Sequence, residues 1–266
     1  MHRRGQSGFT LVELLAAMVP TSVLILGAVS LLSTHNRVYE GQRVAVATEQ
    51  NLRIGMDEVT DLLRTSGYGL PASSLALWVP WVAGFAANPQ IVDGGGKPDS
   101  ITVAGCLQGP ALALSATAAA GATSLSVSSL VLNTSVSALI DNTSRSLILI
   151  DDGQNALVTA VSGTTVSIDT DPTQSGAQGL TRAYPPGTTI CRVDVTTFRI
   201  GTNATTGAAA LTMDANQGAG AQLVADTIDD LQISTVVAGK QFDITMSAGT
   251  NTSASSSLRS LVTRRN

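Results

Sequence analysis
The chain has 266 residues, a net charge of -4 and only 3% aromatic residues. That balance argues against a broadly basic nucleic-acid surface, leaving Arg182, Arg192 and Arg199 as a local patch to consider, and it supplies few rings for base stacking. The two histidines, His2 and His35, both lie near the N-terminus, so no imidazole remains downstream for a His-based triad or the usual His-containing zinc sites.

The N-terminal segment opens with a short basic stretch, MHRRGQSG, and then runs apolar from Phe9 to Leu32 with a single charge, Glu13. About twenty apolar residues at roughly 1.5 Å rise match a hydrocarbon layer of about 30 Å, so residues 14–33 can cross a bilayer as one helix. Arg3 and Arg4 hold the leading end in the cytoplasm by the positive-inside bias, which places the bulk of the chain on the other side. The apolar run is longer than the core of a cleaved secretory signal and continues directly into a helical pattern. A carboxylate in such a helix costs roughly 2.5 to 3.5 kcal/mol on insertion scales, so Glu13 needs either a partner or a reason to be there, the plainer alternative being an uncleaved signal anchor whose Glu13 sits near the interface. Pro20 has no N–H to give and is expected to kink or locally unwind the helix, with Gly27 loosening it further.

From residue 35 to 64 the helical period persists, with Leu52, Met56, Val59 and Leu63 on one stripe. Glu49 precedes Arg53 by one turn in the favourable order, and Gly67, Gly69 and Pro71 stop the helix. Every Glu lies at or before Glu58, while the later acids are all Asp, a turn residue, which marks the passage from helix to strands and loops.

Candidate strands are 100–104, 125–132, 147–150, 156–161, 165–168, 189–200, 228–237 and 241–246. Ser162-Gly163 and Ala238-Gly239 join two hairpins. The uncharged, Ala/Ser/Thr-rich stretch 111–129 reads as a flexible loop or a β-edge insertion, and 201–220 as an exposed loop. The amphipathic half of the helix must bury its stripe, and an antiparallel sheet is the economical surface for it. The expected fold class is therefore α+β, one elaborated domain with a long N-terminal helix packed on antiparallel sheet. Cys106 and Cys191 lie in an oxidising compartment on this reading. They close one disulfide if they meet in space, and are otherwise two buried thiols on separate strands.

Acid pairs are the remaining catalytic candidates: Asp151-Asp152, Asp169 with Asp171, and Asp229-Asp230. Asp151-Asp152 follows a candidate strand and Asp169-Thr-Asp171-Pro172 is a typical turn opener, so solvated turn residues are the simpler reading for both, and the chain is expected not to be an enzyme. Calcium suits clustered Asp and turn carbonyls, yet no Asp-x-Asp-x-Asp-Gly loop with a terminal Glu is present. Gly94-Gly95-Gly96-Lys97 lacks the preceding apolar strand and the following Ser or Thr of a phosphate cradle and reads as a flexible turn.

A basic leader ending in Gly8, then Phe9, Thr10, Leu11, Val12 and Glu13 before an apolar helix, resembles the type IV prepilin signature. The resemblance implies a leader at 1–8, a membrane-spanning and filament-core half of the helix at 9–33, an amphipathic half at 34–66, and a β-rich periplasmic or surface-exposed pilin domain at 67–266. It also implies cleavage between Gly8 and Phe9 by a prepilin peptidase, N-methylation of Phe9, and assembly roles for Glu13, which pairs with the Phe9 amine of a neighbouring subunit, and for Pro20. More diffuse likeness, in LRIGMDEVTDLLRTSGYG, PDSITVAG, VADTIDDLQIST and the basic ending at Arg264, is to PilW-type minor pilins and the related J-type pseudopilins. This likeness implies a minor pilin held in the inner membrane and then incorporated into a pilus near its tip. Its partners are other major and minor pilins, the inner-membrane assembly platform and membrane lipid, with no nucleic acid. A pseudopilin of type II secretion is the close alternative, and a membrane-anchored adhesive or ligand-binding domain the more distant one.

Overall fold
A computed structural model describes residues 11–67, 87–107, 109–140, 146–151, 153–249 and 255–264. Gly8 and Phe9, with the rest of the leader, lie outside the described residues, as do Asp152, Gly69 and Pro71. The chain divides into two units, Met1–Ala47 and Thr48–Asn266, and helix α1 (Leu11–Thr65) contributes to both.

Within the first unit every described residue of α1 is exposed. The helix runs unbroken through Pro20. Proline leaves the carbonyl one turn behind it without a donor, and two hydroxyls bond to carbonyls nearby: Thr21 Oγ1 donates to Ala17 O at 2.7 Å and Ser22 Oγ to Val19 O at 2.8 Å.

In the second unit α1 buries Leu52, Met56, Val59 and Leu63, together with Gly55. This stripe packs with Ile101, Val103, Phe198, Leu211, Ile228, Leu231, Ile233, Phe242, Ile244, Met246 and Val262 in the larger hydrophobic core. Gly55 permits the close approach, since a Cβ there would lie 2.9 Å from Ile228 Cδ1 and 3.0 Å from Leu211 Cδ2. Gly55→Val is therefore expected to destabilise the fold by roughly 1 to 3 kcal/mol through overpacking, read as a lowered unfolding midpoint, with Gly55→Ala milder because side-chain ends can shift. Helix α1 stops where Gly67, at φ +74°, turns the chain and gives its N–H to Ala104 O at 2.9 Å.

The strands are β1 (Gln90–Val92), β2 (Ser100–Gly105), β3 (Pro110–Leu114), β4 (Ser124–Ser129), β5 (Leu147–Ile150), β6 (Gln154–Ser162), β7 (Thr165–Asp169), β8 (Thr189–Thr202), β9 (Ala209–Asp214), β10 (Gln222–Asp226), β11 (Asp230–Val237), β12 (Gln241–Gly249) and β13 (Ser255–Thr263), with a short helix α2 (Val136–Leu139) between β4 and β5. All pairings are antiparallel.

The 14-residue strand β8 organises the second unit. Its later residues pair with β2, from Gly105↔Asp194 to Ser100↔Arg199, and with β9, from Thr197↔Asp214 to Thr202↔Ala209. Its early residues pair with β3 on one side and β5 on the other, through Leu112↔Ile190 and Leu149↔Cys191. Because β3, β4, β7, β6 and β5 are neighbours in that order, the β5–β8 pairing closes the sheet on itself. The expected α+β class and helix on antiparallel sheet are present, but the sheet is barrel-like and closed, not the simple pilin-like fold expected. Strands β11, β12 and β13 form a separate three-stranded sheet.

The stretch expected as a flexible loop or β-edge insertion, 111–129, and the one expected as an exposed loop, 201–220, both contain strands. Stretch 111–129 supplies most of β3 and all of β4, neither at an edge, and Leu112, Leu114, Leu125 and Val127 are buried. Stretch 201–220 contains β9, where Ala210 and Leu211 are buried. In β4 exposed Ser alternates with buried Leu125 and Val127, while β3 and β9 bury small residues, Ala113, Ala210 and Thr212, beside their leucines, so little apolar bulk announces these strands.

Candidate functional site
Along residues 11–32 of α1 the apolar side chains face outward on all sides, with Leu11 at 77%, Leu24 at 74% and Leu32 at 63% exposure. An apolar helix with no covering surface of its own is suited to lipid or to other helices of the same kind. Glu13 stands in the first turn of α1, where a carboxylate interacts favourably with the helix dipole. Pro20 lies seven residues on, and a side chain at Gly27 would enter open space. Beyond the apolar stretch the helix carries His35, Arg37, Glu40 and Arg43, and Arg53 donates to Glu49 at 2.7 Å on an exposed face.

Among the described acids, Asp151, Asp171 and Asp229 lie in turns or loops, while Asp169 ends β7 and Asp230 opens β11. Asp151, at φ +50°, accepts from Arg182 at 3.3 Å. Asp169 Oδ1 accepts the N–H groups of Asp171 and Gln178, each at 3.0 Å. Asp171 accepts from Thr173 and Gln174, whose hydrogen bonds hold its carboxyl below the ordinary range. Asp229 Oδ2 accepts Gly249 N at 2.7 Å, and Asp230 accepts Gln232 Nε2 at 2.8 Å. Among the described residues no three His, Cys, Asp or Glu side chains gather as a cation cluster. The arginines do not pool either: Arg182 pairs with Asp151, Arg192 pairs with Asp194 at 2.8 Å, and Arg199 lies opposite Ser100 and Thr212 on its strand neighbours. Burial pushes the Asp194 carboxyl up, with Arg192 opposing that shift. Cys106 and Cys191 form a disulfide with Cα atoms 5.9 Å apart.

Three polar features had no signal in the sequence. Asp99, only 4% exposed, accepts Gly94 N at 2.9 Å and Ile233 N at 2.7 Å. A cleft of about 340 Å³ beside it is bordered by Asp93, Gln232, Ser234, Asp243, Thr245 and Arg259, and there Arg259 grips Asp243 and holds its carboxyl below the ordinary range. Arg264 Nε donates to Ser66 O at 2.7 Å and Nη1 to Asn88 O at 3.0 Å, joining the end of β13 to the exit of α1, where a cation also meets the negative end of the helix dipole. Arg264→Ala should cost about 1 to 2 kcal/mol and speed amide exchange in the last turn of α1. Equal protection in the variant would show that the contact contributes nothing.

Residues 3–31 match the family model described as the Prokaryotic N-terminal methylation motif. No curated protein and no solved structure matches the chain. The matched motif is the type IV prepilin signal, which implies processing by prepilin peptidase and association with other pilins, and the one long apolar helix among the described residues, near the N-terminus, fits a single-pass inner-membrane anchor of the type IV pilin kind. In motif and in helix the N-terminus is thus that of a type IV pilin-like protein.

Proposed function
We propose that the chain is a minor pilin: a non-enzymatic subunit held in the inner membrane by residues 9–33 and then moved into a type IV pilus, where it supports assembly near the tip. The observation that carries this reading is the uncovered apolar helix from Leu11 onward, preceded by the Gly8-Phe9 junction and bearing Glu13 in its first turn. In a filament the helix exchanges lipid for neighbouring helices. The Glu13 carboxylate then meets the Phe9 amine of an adjacent subunit, an ion pair whose attraction in low dielectric offsets much of the desolvation of both groups. The β-rich remainder stays outside the membrane and faces neighbouring minor pilins or the surroundings.

Mass spectrometry of the mature N-terminus tests the processing step. N-methylated Phe9 as first residue is the expected result, and an intact Met1 would return the chain to the class of uncleaved anchors. Glu13→Ala should leave membrane insertion unchanged while lowering recovery of the subunit in sheared filaments at least tenfold, a loss of about 1.4 kcal/mol or more in assembly. Normal incorporation would remove the proposed role of Glu13. A deletion strain that keeps its pili and loses protein secretion would place the subunit in a type II secretion pseudopilus instead.

A further inference from the structure
We infer that the closed sheet is a separately cooperative module, clasped at its neck by the Cys106–Cys191 disulfide, and that it opens while the core beneath α1 stays folded. The apolar interior of the closed sheet runs from Leu112, Leu114, Leu125 and Val127 through Ile148, Ile150, Val158, Val166 and Ile168 to Ile190. Among the described residues every member of that cluster falls between 112 and 190, and none comes from α1 or from β9–β13. Among the described residues the larger core takes nothing from between Val103 and Phe198. The two cores therefore share no side chain, although both hang on β8.

Cooperativity within a domain comes from burial held in common, and regions that share little buried surface open with separate free energies. The hydrogen-bonded connection between the cores is β8 itself, whose early residues serve the closed sheet and whose later ones serve β2 and β9. At the changeover lies a small third cluster of Ala104, Leu147, Leu149, Val193 and Val195 around the two half-cystines. Cys106 follows the last residue of β2 and Cys191 is the third residue of β8, so the disulfide ties the point where the chain leaves the scaffold to the point where it returns. Opening of the module under this clasp leaves the two ends of its segment joined at Cα atoms 5.9 Å apart. The pairing of β2 with β8 then stays in place.

Hydrogen exchange on the full chain in detergent micelles tests the inference, with Val166→Ala placed in the closed sheet and Ile244→Val in the larger core. Val166→Ala should speed exchange roughly tenfold in β4, β6 and β7 and leave the buried amides of residues 52–63 and of β12 within about twofold, while Ile244→Val does the reverse. Wild-type protein in low denaturant supplies a reading that needs no variant: two groups of amides with distinct opening free energies are expected. Reduction of the disulfide should accelerate the closed-sheet group first. A single opening free energy across both groups, or a variant in either core that accelerates both equally, overturns the module. Reduction that accelerates both groups equally overturns the clasp.

Discussion
Replacing Asp99 with Ala is expected to destabilise the folded chain by about 3 to 5 kcal/mol and to lower the unfolding midpoint by on the order of 10 °C. Asp99 sits at the entry to β2, and its main chain and side chain both reach β11: Asp99 N donates to Leu231 O at 2.7 Å, and Oδ2 accepts Ile233 N at 2.7 Å. The other carboxyl oxygen accepts Gly94 N at 2.9 Å and so fixes the turn between β1 and β2. Alanine removes both acceptors at once. Ile233 N–H would remain in a buried position with no acceptor, and an orphaned donor loses more than the net worth of the bond it made, because water cannot reach it. Asp99→Asn separates the terms, since one carbonyl oxygen can serve one of the two N–H groups while the amide nitrogen faces the other as a second donor. It should recover part of the loss. Denaturant unfolding of the three proteins checks the order, wild type above Asn above Ala, and an Ala variant within about 1 kcal/mol of wild type would mean that β11 finds other acceptors.

How much of the fold was legible in the sequence depended on whether the deciding interaction was local. The stripe Leu52, Met56, Val59 and Leu63 repeats at helical spacing, and those four residues are among the ones α1 buries. Both short hairpins followed from turn chemistry, with Gly163 at φ +59° and Gly239 at φ +66°. Closure of the sheet was not legible, because it rests on β8 meeting β3 and β5 across long separations, and a strand's own pattern does not say how many neighbours it has. The candidate strand at 125–132 covers most of β4, whereas β3 and β9 set small Ala and Thr beside Leu112, Leu114 and Leu211, a composition that looks like low complexity. Asp99 was hidden for a different reason. Nothing in the run KPDSI separates an aspartate that caps a buried edge from one that opens an exposed turn. The N-terminus was the most legible part, since apolar length, the position of Glu13 and the Gly8-Phe9 junction are all local.

Substituting both Cys106 and Cys191 with Ser is expected to cost about 4 to 5 kcal/mol in the chain-entropy account, since the bridge spans 85 residues and its loss restores that freedom to the unfolded segment. The native state also contributes. Both half-cystines are buried beside Ala104, Leu147, Leu149, Val193 and Val195, and a serine hydroxyl in that apolar setting needs a hydrogen-bond acceptor. Gly109 O, 3.3 Å from Cys191 Sγ, can accept from the hydroxyl that replaces that sulfur, which moderates the native-state term and leaves the unfolded chain as the main source of the loss. The location of the loss is as informative as its size. The segment released runs from the end of β2 to the start of β8, so the variant should show its lowered protection in β3 to β7 while α1 from Leu52 to Leu63 holds near its wild-type value. Unfolding of the oxidised, reduced and doubly substituted proteins in denaturant measures the first quantity, and exchange mapping measures the second. Agreement of the reduced protein with the doubly substituted one isolates the covalent link from the serine hydroxyls. A double variant as stable as the oxidised protein would show that the closed sheet holds its own ends together without the bridge.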